Sequence, residues 1–200
     1  FHCWKEKGHG FVSLKNAMKQ SCDTYFYEIA RLLGVDRLNL TAKKFGLGEK
    51  VLGEYFDNEK KGLFPNTNWK KNNLGRGWVL GETLITGIGQ GYTQTTPLQL
   101  CLMTAQIANG GYKIKPKIIV NDDILSLENE KTAMELKSLQ THNTKLSNDP
   151  KNIKILQEAM FSSTNEQLGT SYRSRIDDPK YQFAGKTGTA QVKRISKRER

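Results

Sequence analysis

Apolar residues recur at helical spacing near the start of the chain. Within residues 13–33, the apolar positions that follow this spacing are Leu14, Ala17, Met18, Cys22, Tyr25, Phe26, Ile29, Leu32 and Leu33. The polar triplet Ser21-Cys22-Asp23 interrupts the pattern, and Gly34 ends it as a typical helix stop. We therefore expect two helices that are separated by a break at the triplet.

Three further segments have helical patterns, and one long segment does not. Residues 36–45 and 152–161 are amphipathic, and Pro97 is placed as the first residue of a helix that runs to residue 107 or 108. Residues 47–95 are rich in glycine and have no sustained period. We expect this segment to be a long ordered loop region, a kind of segment that often carries function.

Strand patterns occur only late in the chain. Residues 112–120 form a short alternating segment that Pro116 would confine to a sheet edge, and residues 181–192 alternate as a strand with a glycine kink. Residues 121–149 are polar and weakly periodic, so we treat them as an insertion. Many helices with a few non-adjacent strands favour the α+β class, with part of an antiparallel sheet, over a regular βαβ array.

Length and composition limit the class of protein. The chain has 200 residues, 36% of them hydrophobic, which suits one globular domain or a piece of one. No stretch approaches the ~18 apolar residues that a membrane span needs. The chain opens at Phe1 with no initiator methionine and no signal segment, so we expect an internal fragment of a longer protein.

The chain is basic, with 31 Lys and Arg against 20 Asp and Glu, a formal charge of +11. Such a balance is compatible with nucleic acid, an anionic membrane surface or an acidic polymer. No zinc finger or aromatic RNA-binding strand accompanies the charge, so we do not expect nucleic acid as a partner.

Candidate chemistry occurs first in the late strand segment, as Lys186-Thr187-Gly188-Thr189. Glycine on a strand edge permits close backbone approach, while a lysine and two hydroxyls can hold the anionic end of an extended peptide. On its own, a Lys-Thr-Gly triplet is more typical of a turn or an exposed strand.

The second candidate is the triplet that interrupts the first helical pattern. A serine hydroxyl and a carboxylate at a helix junction, here Ser21 and Asp23, can relay a proton or contact a substrate amide. Both residue types are also good N-caps for the helix that follows, and taken alone the chemistry favours capping.

Together these motifs resemble those of the penicillin-binding proteins and serine β-lactamases, which carry Ser-Xaa-Xaa-Lys, then Ser-Xaa-Asn or a variant, then Lys-Thr-Gly. The chain is most similar to the class B transpeptidases of cell elongation, the penicillin-binding protein 2 subfamily, in which the second motif ends in Asp. The resemblance continues in family order through residues 4–5, 8–10, 34–38, 87–92, 96–99 and 184–192.

This resemblance implies a role for each motif residue. Ser21 would help to shuttle a proton to the leaving group, and Asp23 would hold the hydrogen-bond network of the cleft. Gly188 would let the substrate peptide lie against the strand. The terminal carboxylate of the substrate would be bound by Lys186, Thr187 and Thr189.

The resemblance also implies an activity and its setting. We expect a peptidoglycan D,D-transpeptidase that works through an acyl-serine, with stem peptides and β-lactams as ligands and elongation-machinery membrane proteins as partners. The intact protein would lie at the periplasmic face of the bacterial inner membrane, anchored by an N-terminal span absent from this chain. A D,D-carboxypeptidase or β-lactamase relative and a non-catalytic, zinc-stabilised binding module are the alternatives.

The first family motif is missing from this chain, because no serine is followed by lysine at the third position. In the family that motif precedes the second one, so we expect it before Phe1, and the strands after the third motif beyond Arg200. Residues 1–200 would thus be a partial transpeptidase domain that is inactive by itself.

Cys3, His9 and Cys22 form a Cys-x5-His-x12-Cys pattern, and thiolate with imidazole is a ligand set that zinc prefers. Three ligands are one short of a closed tetrahedral site. A Cys3–Cys22 disulfide and three inert side chains are the alternatives. Cys101, in an apolar helix, is expected to be a packing residue.

Some relatives in the resembled subfamily bind zinc near the cleft through acidic, His and Cys ligands. His9 and Cys22 match those ligand positions, Cys3 stands where an Asp is found, and a fourth ligand would lie before Phe1.

Overall fold

The computed structural model describes residues 1–53, 56–116 and 144–190. Two short 3-10 turns, Tyr172–Ser174 and Pro179–Tyr181, follow the last of its α-helices. Within the described residues, none of the helices is long and apolar enough to cross a membrane. The α-helices are α1 (Leu14–Lys19), α2 (Asp23–Leu33), α3 (Val35–Lys44), α4 (Thr67–Leu74), α5 (Leu80–Gly87), α6 (Pro97–Ala108) and α7 (Pro150–Asn165).

Strongly periodic segments form the helices that their patterns predict. α1 and α2 are separated by a break at residues 20–22, which includes the first two residues of the polar triplet. α1 begins where the Ser13 hydroxyl accepts the Asn16 N–H at 3.3 Å. α6 begins at Pro97, as expected, and α7 extends the predicted helix at both ends. The predictions for these segments are confirmed.

The prediction of a long loop over residues 47–95 is wrong, because the segment contains α4 and α5. α4 has the polar sequence TNWKKNNL and therefore no apolar stripe to reveal it. Its ends are set locally: the Asn66 side chain accepts the Trp69 N–H at 2.7 Å, and Gly75 ends the helix in the left-handed region with φ 63°. Capping, rather than apolar periodicity, marks this helix.

The strand predictions are also corrected where the structure describes them. Residues 112–116 and 181–190 contain no strand, because a strand needs a partner with which to form a ladder. The described residues form two isolated antiparallel bridges, Leu63 with Gln94 and Tyr112 with Lys145. The remaining parts of the predicted strands, residues 117–120 and 191–192, lie outside the described residues.

The predicted insertion, residues 121–149, also lies largely outside the described residues. Only its last part, residues 144–149, is described, and there Leu146 is buried and donates its N–H to the Gly111 carbonyl at 2.8 Å.

The described structure divides into two compact units, and the first comprises Phe1–Asn39, Pro65–Thr93 and Lys154–Arg200. Within it α2 packs on α5. The contact is closest at Gly87, where an added Cβ would lie 2.4 Å from the Cβ of Ala30. Because α2 begins at Asp23, with Cys22 as its N-cap, this packing helps to position the turn that carries the second motif.

An ion pair between Lys70 and Glu82 is also part of the first unit, and the Lys70 side chain is only 6% exposed. Burial alone would raise the pKa of Glu82. Hydrogen bonds from Lys70, the Val79 N–H and the Tyr92 hydroxyl, together with the Lys70 charge, outweigh that effect and hold the pKa of Glu82 below its usual value.

The second unit comprises Leu40–Phe64 and Gln94–Ile153. Two buried amides on α6 organise it: Gln99 donates to the carbonyls of Glu49 and Lys61, and Gln106 donates to that of Phe45. Cys101 is exposed, so its prediction as a packing residue is wrong. α6 is apolar on most sides, so its sequence alone does not identify the buried face.

Replacing Gly87 by alanine should lower the melting temperature of the protein. The added methyl group would meet Ala30, and overpacking of this kind costs about 1–3 kcal/mol, more than the gain in helix propensity. Gly77→Ala is the matched control, because an added Cβ there meets nothing within 4 Å. Thermal unfolding followed by circular dichroism measures both variants; equal melting temperatures would contradict close α2–α5 packing.

Replacing Glu82 by glutamine should destabilise the protein by about 3 kcal/mol at neutral pH, because Lys70 would be left as a buried, unpaired charge. The folded-state pKa of Glu82 is lowered, so its contribution is present above the ordinary value of 4.5 and is lost as the pH falls through the folded value. Urea unfolding at several pH values should therefore show the two proteins converging in acid. A difference independent of pH would contradict this account.

Candidate active site

The second motif lies in a strained turn between α1 and α2. Ser21 has a φ of 51°, in the left-handed region that costs a non-glycine residue about 1 kcal/mol. Two backbone bonds hold this turn: the Cys22 N–H donates to the Ala17 carbonyl at 2.8 Å, and the Ser21 N–H donates to the Met18 carbonyl at 3.3 Å. The residue at the N-cap of α2 is Cys22, with no side-chain capping bond, so the capping interpretation of Ser21 and Asp23 is wrong.

Trp4 braces the same turn from outside. Its indole N–H lies 3.1 Å from the Gln20 carbonyl and 2.9 Å from the Ser21 carbonyl, to both of which it donates. Its backbone N–H donates to a carboxylate oxygen of Asp23 at 2.9 Å. Asp23 therefore bonds to the segment that precedes α1 and helps to fix the turn.

The structure brings Lys186 of the third motif to Ser21 of the second. The Lys186 Nζ donates to the Ser21 Oγ at 2.5 Å, to the Thr187 Oγ1 at 2.9 Å and to the Thr187 carbonyl at 3.3 Å. Three acceptors match the three N–H bonds of an ammonium group. The two motifs, 165 residues apart in sequence, thus form one polar cluster.

Backbone and side-chain bonds to α7 hold the third motif in place. The Gly185 N–H donates to the Met160 carbonyl at 3.2 Å, and the Asn165 side-chain amide donates to the Phe183 carbonyl at 2.8 Å. Gly188 and Thr189 are exposed, and an added Cβ on Gly188 would meet no atom of the described residues within 4 Å. The segment therefore presents an open face beyond the Lys186 cluster, and Thr189 lies on the exposed part.

Burial and a nearby carboxylate have opposite effects on the pKa of Lys186. Partial burial lowers the pKa of its ammonium group, and the negative charge of Asp23 offsets part of this effect. The direct acceptors of Lys186 are neutral oxygens of Ser21 and Thr187. An anionic ligand at this position would supply the full negative charge that those oxygens lack.

Sequence reasoning missed two hydroxyls in this cluster. The Thr170 Oγ1 lies 3.1 Å from the Ser21 Oγ and 3.3 Å from the Thr187 Oγ1, and the Ser163 Oγ lies 3.4 Å from Thr170. Ser163 is on α7, and Thr170 follows Gly169 in the loop after that helix. A lone hydroxyl on a helix or in a polar loop carries no sequence signal, so only the structure identifies these two.

The three candidate metal ligands of the Cys-x5-His-x12-Cys pattern also lie close together in the structure. One ligand atom from each of Cys3, His9 and Cys22 lies within 4.8 Å of the other two, and the Cys3 Sγ is 3.3 Å from the His9 Nδ1. Cys22 is buried, and all three cysteines of the chain are free thiols in this structure. Within the described part of the chain, the buried His9 Nε2 has no hydrogen-bond partner.

These atoms fit a zinc ion in both chemistry and spacing. Tetrahedral zinc, with bonds of about 2.0–2.3 Å, separates its ligand atoms by roughly 3.5–3.8 Å. The cluster needs only small shifts to reach such spacings. The third ligand, Cys22, directly follows Ser21 in the turn.

Residues 1–200 match the family described as penicillin binding protein transpeptidase domain. The chain is 36% identical over 200 residues to peptidoglycan D,D-transpeptidase MrdA of Acinetobacter baumannii, covering all of this chain and 28% of the relative. It is 34% identical over 200 residues to the protein of the same name from Haemophilus influenzae, covering all of this chain and 30% of that relative. The chain thus spans less than a third of these curated relatives.

Two solved structures have the same fold. One is a complex between penicillin-binding protein 2 and MreC from Helicobacter pylori, with a TM-score of 0.77 and 33% identity over 96% of this chain and 33% of that one. The other is Pseudomonas aeruginosa penicillin-binding protein 2 in complex with WCK 5153, with a TM-score of 0.76 and 35% identity over 96% of this chain and 41% of that one. The expected penicillin-binding protein transpeptidase fold is confirmed. The described residues are mostly helical and show two isolated bridges in place of the expected part of an antiparallel sheet.

Proposed function

Because the chain belongs to the transpeptidase family of penicillin-binding proteins, we propose that the whole protein is a peptidoglycan D,D-transpeptidase that cross-links stem peptides during cell elongation. The relatives named peptidoglycan D,D-transpeptidase support this proposal. Cross-linking of this kind takes place at the periplasmic face of the inner membrane, and we place the whole protein there.

The observation that carries the proposal is the hydrogen bond between Lys186 and Ser21. It joins a cation to hydroxyls beside the exposed segment at Gly188, which is an arrangement suited to the terminal carboxylate of a peptide. Lys186 and Thr187 would bind that carboxylate together with Thr189, while the open face at Gly188 would accept the peptide backbone.

The chemistry would be acyl transfer in two steps. A serine of the Ser-Xaa-Xaa-Lys motif of the whole protein attacks the carbonyl of the penultimate D-alanine, and its oxygen forms an ester as the peptide bond breaks. Ser21 passes a proton to the departing D-alanine amine, because its hydroxyl both accepts from Lys186 and retains a proton to donate, and the proton of the attacking serine replaces it. The amine of a second stem peptide then attacks the ester carbonyl and forms the new peptide bond as the ester bond breaks. The proton that this amine loses returns to the released serine oxygen.

Asp23 acts on the backbone rather than on substrate in this proposal. Its carboxylate accepts the Trp4 N–H, and this bond keeps the Ser21 turn in its left-handed conformation. We also propose that β-lactams bind the same carboxylate clamp. A protein related to MreC is the partner that we propose within the elongation machinery, by similarity to the complex from Helicobacter pylori.

We further propose that Cys3, His9 and Cys22 hold a structural Zn²⁺ ion. Zinc supplies strong bonds to thiolate and imidazole and no redox chemistry, so its role here would be to stabilise the fold. The close approach of the three ligand atoms, with the Cys3 Sγ 3.3 Å from the His9 Nδ1, supports this site. Since Cys22 follows Ser21, the ligands would hold the Ser21 turn from behind.

The full-length protein should form a covalent adduct with a fluorescent penicillin, and Lys186→Ala should slow its formation about 100-fold, because a donor to the bound carboxylate is lost. Lys180→Ala is the matched control, since the exposed Lys180 lies over the Tyr181 ring rather than in the hydroxyl cluster. Gel fluorescence after timed quenching gives the acylation rate constants. The 200-residue chain, which has no Ser-Xaa-Xaa-Lys motif, should stay unlabelled.

Two outcomes would contradict the proposed function. One is a full-length protein that forms no adduct under any condition in which it is folded. The other is a Lys186→Ala variant that reacts as fast as Lys180→Ala, which would remove Lys186 from the site.

The full-length protein should contain bound zinc that His9→Ala and Cys22→Ser lose and that Cys101→Ser keeps, because Cys101 is exposed and outside the cluster. Elemental analysis measures the metal, and replacement by Co²⁺ should give thiolate-to-metal absorption. Removing the metal should lower the melting temperature. A metal content that is the same in all variants would refute the site, and a Cys3–Cys22 disulfide found by mass spectrometry would favour the alternative.

A further inference from the structure

The loop after α7 places one threonine at the centre of the hydroxyl cluster. The Thr170 N–H donates to the Lys19 carbonyl at 3.1 Å, so the loop is tied to the end of α1. The preceding Gly169 packs against α7, where an added Cβ would lie 2.2 Å from the Ser163 carbonyl oxygen. Thr170 is therefore held from both sides at a fixed position.

The Thr170 hydroxyl completes a triangle with the hydroxyls of the two motifs. The Ser21 Oγ is 3.1 Å from the Thr170 Oγ1 and 3.5 Å from the Thr187 Oγ1, and the third side, between Thr170 and Thr187, is 3.3 Å. The contact between Ser21 and Thr187 is thus the longest of the three. Lys186 bonds to both motif hydroxyls, and Thr170 is the second group that contacts both of them.

The shortest contacts of the Thr170 hydroxyl are those to the other two hydroxyls, at 3.1 Å to Ser21 and 3.3 Å to Thr187. The Lys19 carbonyl is farther, 3.5 Å from the Thr170 Oγ1, and it already accepts the Thr170 N–H. When Thr170 donates to Ser21, the Ser21 oxygen accepts from both Thr170 and Lys186, and the Ser21 proton stays free for a leaving group. In this arrangement Thr187 donates to the Thr170 oxygen.

We infer that Thr170 is a positioning residue of the cleft, whose hydroxyl orients Ser21 and Thr187 around the Lys186 ammonium group. The inference rests on the proposed function, since the orientation of Ser21 matters for proton transfer to a leaving group. Thr170 itself need not touch substrate.

Thr170→Val in the full-length protein keeps the shape of the side chain and removes its hydroxyl. We expect the acylation rate constant with a fluorescent penicillin to fall about tenfold, as for the loss of one orienting hydrogen bond. The penicillin concentration at half-saturation should change less than twofold, because Lys186 and Thr187 remain. Thr170→Ser restores the hydroxyl and should stay within twofold of wild type.

Thr104→Val is the matched control, because Thr104 lies on α6, outside the hydroxyl cluster, and its hydroxyl donates to the Leu100 carbonyl at 2.8 Å. Both valine variants should show similar melting temperatures, and only Thr170→Val should acylate slowly. Thr170→Ala provides the same comparison with Thr170→Ser if the valine variant does not fold.

Two results would overturn the inference while leaving the proposed function intact: Thr170→Val acylating at the wild-type rate, or Thr170→Ser acylating as slowly as Thr170→Val. The second would mean that the methyl group, and not the hydroxyl, is what matters. A wild-type protein that forms no adduct would overturn the proposed function and this inference with it.

Discussion

A partly buried ammonium group must find acceptors for all of its protons, and at Lys186 these acceptors come from two distant parts of the chain. Ser21 supplies one oxygen and Thr187 supplies two. Burial makes the charge costly, as the lowered pKa of Lys186 indicates. The positions of the α1–α2 turn and of the segment that follows α7 are therefore coupled, because moving either one would leave a charged group without partners.

The turn that carries Ser21 cannot hold its conformation through intrinsic preference, since φ 51° is unfavourable for serine. The surroundings impose it. The backbone N–H groups of Ser21 and Cys22 donate to carbonyls of α1, and the Trp4 indole donates to the Ser21 carbonyl. These hydrogen bonds hold the turn in its conformation. The cysteine and histidine cluster lies next to this brace, with the Trp4 ring 5.5 Å from the His9 ring. The left-handed turn, the hydrogen bonds of Trp4 and the cysteine and histidine cluster therefore lie side by side.

The sequence predicted those parts of the molecule that have strong local signals. α2 and α6 have clear stops or starts, and the motif residues Ser21 and Lys186 were identified by residue type and order. Residues 112–116 and 181–190 were predicted as strands from alternation alone, but pairing depends on partners that alternation does not reveal. Thr170 was missed for a related reason, since its role comes from side chains far away in sequence.

At most positions in a protein a side chain affects both packing and ligand binding, whereas the open face at Gly188 affects packing little. No described part of the fold fills the space where a side chain would extend from this residue. A larger residue there would disturb little of the packing of the described residues, yet it would occupy the room that we propose for the peptide backbone of a ligand. Substitutions at Gly188 could therefore change the affinity for a ligand with little effect on the stability of the fold.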